Sequence, residues 1–276
     1  MSTSNPGTKG ADSRPVINPP ERLGKMPQIT VLFWVITILT AGMGQAIFDW
    51  LIVRGIADPG MVVVILGSEL ALFLITLALQ LAVRRFVAPV YWLAVIGVSV
   101  FGTLLADVAH FLIGLPLWAT PILFALVVAI VFLFWYRAER TLSIHSIRTR
   151  RREASYWVTV LFIFALGTSI VDLVTTVWNI SGLASGVVFL VLFLAAASQS
   201  LRLQRATVFL FWASYLLTRP ASGSFSDWLT NELGLGAGLV ALVASVLIVV
   251  LVGYVTVTDR RNGKLPRDPS AAIARP

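Results

Sequence analysis

Residues 89–113 read PVYWLAVIGVSVFGTLLADVAHFLI and place Trp92 and Asp107 fifteen positions apart within one apolar segment. Three more tryptophans have an aspartate at the same distance, each in another apolar segment: Trp34/Asp49, Trp157/Asp172 and Trp212/Asp227. Successive members of these four marker tryptophans stand 58, 65 and 55 residues apart. That interval is too long for one helix and fits a pair of membrane-spanning helices with their loops. The spacing therefore predicts four tandem two-helix repeats.

The composition indicates an integral membrane protein. Hydrophobic residues make up 58% of the 276 positions and charged residues 12%, whereas a soluble domain carries about 25% charged residues. The mean hydropathy is +0.88. Apolar runs of about 20 residues recur along the chain, and each can cross roughly 30 Å of hydrocarbon as a helix. We predict an all-α membrane protein of eight transmembrane helices. Its four repeats share one orientation, because each contains two spans.

Turn residues and arginines mark where the helices end. The first helices of the repeats are expected at about 28–52, 89–113, 154–178 and 206–230, and the second helices at about 60–82, 117–136, 183–201 and 236–257. The corresponding repeats, at about 25–83, 86–137, 153–201 and 205–257, make one transmembrane domain over 25–257. Residues 1–24 are polar and rich in Pro, Gly and Ser, which predicts a disordered tail. Residues 258–276 form a second polar tail.

The distribution of basic residues predicts the orientation. Arginines and lysines lie before the first helix, after each second helix and in both tails, whereas the alternate loops hold only Arg54. The positive-inside rule then puts both termini in the cytoplasm and the protein in the cell membrane. The net charge of +8 follows from this bias and needs no nucleic-acid partner. The Arg148–Arg152 run is either a solvated loop beside the lipid or a headgroup-binding patch.

The four repeat aspartates, Asp49, Asp107, Asp172 and Asp227, are predicted at a similar depth towards the outer face. Each first helix starts near its tryptophan on the cytoplasmic side, and fifteen residues at 1.5 Å rise carry the aspartate about 22 Å across. Small residues that permit close helix contact stand five positions before each acid: Gly44, Gly102, Gly167 and Ser222. We therefore expect the acids to face the protein interior. The alternative is that they are helix-end acids that reach water.

Other residues are grouped with these acids as supporting positions. They are the four marker tryptophans, Trp34, Trp92, Trp157 and Trp212, and the polar residues of the turn before each acid, Gln45, Thr103, Thr168 and Ser224, with His110 three residues after Asp107. For the tryptophans, interface anchoring or packing competes with ligand contact. Glu69, inside the second helix, is a further intramembrane acid. Because the repeats share one orientation, either a pseudo-fourfold ring or two four-helix halves would gather the first helices around a centre.

The fourth repeat carries an arginine and a proline inside its first helix. Residues 217–228 read LTRPASGSFSDW. Pro220 cannot donate a backbone hydrogen bond, so we expect the helix to kink or break there. Arg219 lies near mid-membrane, where an unpaired charge costs about 2.5–3.5 kcal/mol, so we expect a carboxylate partner or a water-filled cavity. The candidate partners are Asp49, Asp107, Asp172 and Glu69. Such a pair either serves a substrate site or locks the bundle.

Three stretches resemble a bacterial family of multi-pass membrane proteins. They are residues 25–34 (KMPQITVLFW), the segment from Gly44 to Asp49, and the segment from Thr218 to Trp228. The resemblance covers about 25–257 and implies four tandem two-helix repeats, each with a marker tryptophan, in a family of unassigned function. The family pattern often has a glutamate four residues before the aspartate. This chain has Gln45, Thr103, Thr168 and Gly223 there, and so has fewer intramembrane acids than the family pattern.

Two functional hypotheses follow from the sequence. The first is a small transporter or permease for a cation or a proton-coupled solute. The four repeat aspartates and Glu69 would bind or carry the charge, with Arg219 as counter-charge. The second is a non-transporting scaffold, assembly factor or sensor. We do not expect an enzyme or a cofactor, because the chain shows no nucleophile–base pair, phosphate loop or zinc spacing. Hard cations prefer oxygen ligands, and a chain with no cysteine and two histidines is a poor soft-metal binder.

Overall fold

The computed structural model describes residues 26–55, 59–83, 85–147, 149–202 and 207–261. Over these ranges the chain is helical and contains no strand. The eight α-helices are α1 (Val31–Gly55), α2 (Pro59–Ala82), α3 (Ala88–Asp107), α4 (Ala119–Glu139), α5 (Arg150–Asp172), α6 (Gly182–Arg202), α7 (Thr207–Asp227) and α8 (Ala237–Arg261). Every predicted helix is present, and the ends agree within a few residues. The predicted tail 1–24 and most of the tail 258–276 lie outside the described residues.

Seven of the eight described helices are long and apolar enough to cross a membrane. These seven are all except α7, which carries Arg219, Pro220 and several serines. The prediction of a multi-pass helical membrane protein is therefore supported by seven helices. The crossing of α7 remains a prediction.

The odd-numbered helices form a closed inner ring. α1 contacts α3 and α7, and α5 contacts the same two helices. Each even-numbered, outer helix packs mainly on the inner helix of the following repeat: α2 on α3, α4 on α5, α6 on α7 and α8 on α1. The repeats are thus interlocked in cyclic order, and the last repeat closes on the first. Of the two arrangements expected from the sequence, the structure has the ring.

Small residues allow the inner helices to approach one another. At three of the predicted positions, an added Cβ would come within van der Waals overlap of the next inner helix. The distances are 2.8 Å from Gly44 to Ser99 Cβ, 2.7 Å from Gly102 to Phe164 Cβ, and 2.6 Å from Gly167 to Arg219 Cβ. At the fourth contact, between α7 and α1, a Cβ on Gly42 would lie 3.4 Å from the Ser222 carbonyl oxygen. The expectation of close helix contact at these positions agrees with the structure.

Pro220 was predicted to kink or break its helix, and the break is wrong, because α7 continues through this residue as one α-helix. Hydroxyl groups on both sides bond to backbone carbonyls of the same helix. Thr218 Oγ1 donates to the Tyr215 carbonyl at 2.7 Å, and Ser222 Oγ donates to the Arg219 carbonyl at 3.1 Å. α7 is also held by contacts with α1, α5 and α6. Neighbouring helices and Ser/Thr side chains are what allow a proline inside a membrane helix.

A π-helical turn directly follows the aspartate in three repeats. These turns are Val108–Leu112, Leu173–Val177 and Trp228–Glu232. Each is followed by a residue with positive φ, seven positions after the aspartate: Gly114 (79°), Asn179 (53°) and Gly234 (68°). Glycine and asparagine tolerate this left-handed conformation better than other residues. In the first repeat α1 stays α-helical to Gly55. The second, third and fourth repeats therefore share this backbone conformation as well as the sequence markers. π turns are frequent at functional sites.

Candidate functional site

An aromatic layer surrounds the axis of the inner ring at the tryptophan end. In every repeat the marker tryptophan is preceded by a phenylalanine or tyrosine. Each preceding ring packs on the tryptophan of the next repeat, with centroid distances of 5.7 Å for Phe33–Trp92, 5.5 Å for Tyr91–Trp157, 5.9 Å for Tyr156–Trp212 and 5.7 Å for Phe211–Trp34. The contacts run once around the ring. We call these eight residues the aromatic layer.

The inside of the aromatic layer is filled by tyrosines. The hydroxyl oxygens of Tyr91 and Tyr156 are 2.7 Å apart, and both side chains are buried. Tyr215 is also fully buried, and its ring centroid lies 5.7 Å from that of Phe211 and 6.4 Å from that of Phe33. The marker tryptophans therefore pack inside the bundle, which favours the packing interpretation over ligand contact. The aromatic residue before each tryptophan was not singled out from the sequence, although aligning the repeats reveals it.

A polar layer built around Arg219 follows along the axis. The guanidinium is 0% exposed. Nε donates to Thr168 Oγ1 at 3.1 Å, Nη2 donates to Gln45 Oε1 at 3.0 Å and also to Thr103 Oγ1, and Nη1 donates to the Ala41 carbonyl. The three side-chain acceptors occupy the same repeat position, four residues before the aspartate. Arg219 therefore joins α7 to the three other inner helices.

Arg219 makes no direct contact with a carboxylate in the described part of the chain, and the predicted partners Asp49, Asp107 and Asp172 act on it only through their charge. Its hydrogen-bond acceptors are all neutral oxygens, and no described carboxylate forms an ion pair with it. The guanidinium has five N–H donors in a planar fork, so several neutral oxygens can satisfy it. The ring of Phe164 lies 5.8 Å from its Cζ atom and adds a cation–π contact.

The carboxylates form the next layer. All four repeat aspartates are close enough to Arg219 to act on its charge. Asp49 is joined to it through Gln45, whose Nε2 donates to Asp49 Oδ1 at 3.0 Å. The other oxygen, Asp49 Oδ2, is buried and has no hydrogen-bond partner among the described residues. Asp107 and Asp172 lie within electrostatic range of each other and of Asp49. Acids from all four repeats thus lie within electrostatic range of one buried cation.

Three other sequence candidates lie at the edge of this layer. Glu69 of α2 is 2% exposed, neither carboxylate oxygen has a partner in the described ranges, and it is within electrostatic range of Asp107. The ring of His110 is bonded through Nδ1 to the Leu115 carbonyl at 2.8 Å and so supports the π turn. Ser224 is buried, and its hydroxyl has no described partner.

A polar cavity of about 330 Å³ lies beside Asp227. Its other lining residues are Thr175, Asn179, Ile180, Ser181, Gly182, Asn231 and Glu232. One Glu232 oxygen accepts the Gly182 backbone N–H at 2.6 Å and so caps the start of α6. The residues that correspond to Asn231 and Glu232 are Phe111/Leu112 in the second repeat and Thr176/Val177 in the third. The cavity was not predicted, because its lining residues other than Asp227 are not repeat markers.

No cluster of three or more His, Cys, Asp or Glu side chains that could hold a metal ion occurs among the residues that the structure describes. The repeat aspartates approach one another electrostatically, but they do not converge as ligands on one point.

Comparison with known families identifies the repeat. Residues 90–141 and 210–261 each match the family described as Repeat of Unknown Function (DUF347). The two matches cover most of the second and fourth predicted repeats, and each contains one inner and one outer helix. The resemblance to tandem membrane repeats of unknown function is thereby confirmed. Searches of curated proteins and of solved structures give no significant match.

Proposed function

We propose that the protein is a small transporter or permease of the cell membrane for a cation or a proton-coupled solute. The observation that carries the proposal is that four carboxylates, one from each repeat, lie within electrostatic range of buried Arg219. Acids inside a membrane protein are expensive and commonly mark ion or proton pathways. A ring of acids at a pore mouth attracts cations.

The proposed topology has eight crossings, including α7, with both termini in the cytoplasm. Support comes from exposed basic side chains near the tryptophan end, including Arg150 and Arg151 at the start of α5. The carboxylates and the cavity beside Asp227 then face the outside, while the aromatic layer closes the axis towards the cytoplasm. Transport would require rearrangement of the aromatic layer so that the carboxylates are exposed first to one side and then to the other.

Glu69 has a separate place in this proposal. A buried carboxylate with no described partner is stable in hydrocarbon mainly in its neutral form. It lies within electrostatic range of Asp107. Glu69 is therefore our candidate for a residue that carries a proton while the repeat aspartates hold the solute charge.

One observation favours the alternative, a non-transporting scaffold or sensor. Arg219 is bound by oxygens from α1, α3 and α5, so it also acts as a tie across the bundle. A scaffold requires these hydrogen bonds between the inner helices but does not require the four repeat aspartates. The two functions therefore differ in what neutralising the aspartates does.

The test is ion flux in proteoliposomes under an imposed cation or pH gradient. We expect flux with the wild type and at least about tenfold less with Asp107→Asn/Asp172→Asn, since each charge contributes to attracting the cation. Glu139→Gln, which removes a carboxylate paired with Arg152 outside the ring, is the matched control and should retain wild-type flux. A well-folded wild type without flux for any inorganic cation, proton or small amine would reject transport.

A further inference from the structure

The polar layer is assembled from equivalent positions of different repeats. Gln45, Thr103 and Thr168 each stand four residues before a repeat aspartate, and their side-chain oxygens converge on one group. The fourth repeat has Gly223 at this position, which has no side chain to contribute. The acceptors therefore come from three different inner helices and together form one binding position on the axis of the ring.

The group bound at this position is the Arg219 guanidinium, which comes from the fourth repeat. Arg219 stands eight residues before Asp227, and the equivalent positions in the first three repeats hold Ala41, Ser99 and Phe164. Two of these also contact the guanidinium: the Ala41 carbonyl accepts from it, and the Phe164 ring lies 5.8 Å from Cζ. The fourth repeat thus supplies the cation, while the other three repeats supply its binding groups.

The chemistry of the layer selects the class of cation. Its four acceptors are neutral oxygens that receive N–H donors in different directions, and an aromatic ring lies beside the cation. The carboxylates act on it electrostatically without forming ion pairs with it in the described structure. Directional N–H donors on a delocalised charge are properties of a guanidinium or an amidinium, and an alkali-metal ion lacks both.

We infer that the polar layer is a binding site for a guanidinium-class cation, and that Arg219 is its tethered occupant. A free cation binds there when the Arg219 side chain is absent or withdrawn. If the proposed transport function holds, the transported cation exchanges with Arg219 at this place and belongs to the guanidinium or amidinium class. That last step rests on the proposed function, whereas the existence of the binding site does not.

The test is chemical rescue of Arg219→Ala, measured as the melting temperature of the purified protein in detergent. Removing the side chain leaves the acceptors unsatisfied, so we expect the melting temperature to fall by about 6–10 °C. Millimolar guanidinium should restore at least about half of this loss in a saturable manner, because a ligand that binds only the folded state stabilises it. Sodium and tetramethylammonium should have no such effect.

Two controls separate the site from general salt effects. In Arg219→Met the longer side chain fills the vacated space, so guanidinium should not raise its melting temperature, and the wild type should not respond either. In Arg219→Ala/Thr103→Val, the loss of one acceptor should raise the half-saturating guanidinium concentration at least about tenfold. Equal responses in Arg219→Ala and the wild type, or rescue unaffected by Thr103→Val, would overturn the inference.

If Arg219→Ala aggregates on extraction, the experiment uses the recovered monodisperse fraction. Guanidinium present throughout extraction should recover folded protein, and failure to recover any would overturn the inference. These melting-temperature measurements do not depend on whether the protein transports a cation. Rescue without transport would thus support the site and reject only the transport function.

Discussion

Gln45 and Arg219 lie 174 residues apart in sequence and share a hydrogen bond of 3.0 Å between Oε1 and Nη2. The other end of the same amide donates to Asp49 at 3.0 Å. A single neutral side chain therefore links the buried cation to the repeat aspartate Asp49. The orientation of the amide is fixed, because its oxygen must face the guanidinium and its nitrogen the carboxylate.

Replacing Gln45 by methionine should show how much this link contributes to the stability of the protein. The change keeps the length of the side chain but leaves one guanidinium N–H and one Asp49 oxygen without a partner. We expect a loss of about 2–4 kcal/mol of stability, since hydrogen bonds to charged groups are worth about 1.5–3 kcal/mol each and the losses are not fully additive. Thermal unfolding measures it. Gln199→Met, at an exposed position of α6, is the control and should stay within about 0.5 kcal/mol. Equal stabilities for both variants would refute the bridging role.

Gly167→Ala should disrupt the contact between α5 and α7. Its new Cβ would lie 2.6 Å from Arg219 Cβ and 3.2 Å from Pro220 Cδ, so the two helices must separate. Overpacking of this kind costs about 1–3 kcal/mol. The control is Gly253→Ala in α8, where nothing lies within 4 Å and the change should be neutral or slightly stabilising. If Gly167→Ala unfolds at or above the wild-type temperature, the close approach of α5 and α7 is wrong.

Trp157→Ala should destabilise the bundle through the aromatic layer. Trp157 is 1% exposed and packs on Tyr91 and Tyr156, so its removal leaves a large cavity worth about 3–5 kcal/mol. Trp178, 61% exposed, is the matched control, and Trp178→Ala should change the unfolding temperature little. Similar losses for both tryptophans would mean that the marker residue is an interface anchor.

The absence of cysteine makes the proposed topology directly measurable, since the wild type itself serves as the unlabelled control. Ser181→Cys, at the rim of the cavity, should react with a membrane-impermeant maleimide on intact cells. Arg151→Cys, at the start of α5, should react only after permeabilisation. Labelling of Arg151→Cys from outside would reverse the orientation, and with it the proposed side for the carboxylates.

The sequence predicted those features that depend on local pattern. Apolar segments of sufficient length define the helices, and the fifteen-residue spacing of Trp92 and Asp107 recurs in every repeat. The cyclic packing of each outer helix on the following repeat could not be derived, because an apolar face fits many neighbours equally well. The π turns after Asp107, Asp172 and Asp227 were not predicted either. Pro220 was expected to kink or break α7, but the helix continues through it, with packing and hydroxyl hydrogen bonds on both sides of the proline.

The candidate site was only partly predictable for a different reason. Gln45, Thr103 and Thr168 were grouped with the acids, but a carboxylate or a water-filled cavity was expected as the partner of Arg219. The charge of a guanidinium suggests a carboxylate partner, whereas its five N–H donors can be satisfied by neutral oxygens. The identity of the acceptors became evident only when the ring placed three equivalent positions around one side chain.

The most direct test of the central claim is to compare flux in four single variants, one for each repeat: Asp49→Asn, Asp107→Asn, Asp172→Asn and Asp227→Asn. If carboxylates from all four repeats serve one cation pathway, each variant should remain monodisperse and lose most of its cation flux in proteoliposomes. If the acids are independent helix-end groups, neutralising one of them leaves flux unchanged. Wild-type flux in two or more of the folded variants would contradict the shared site.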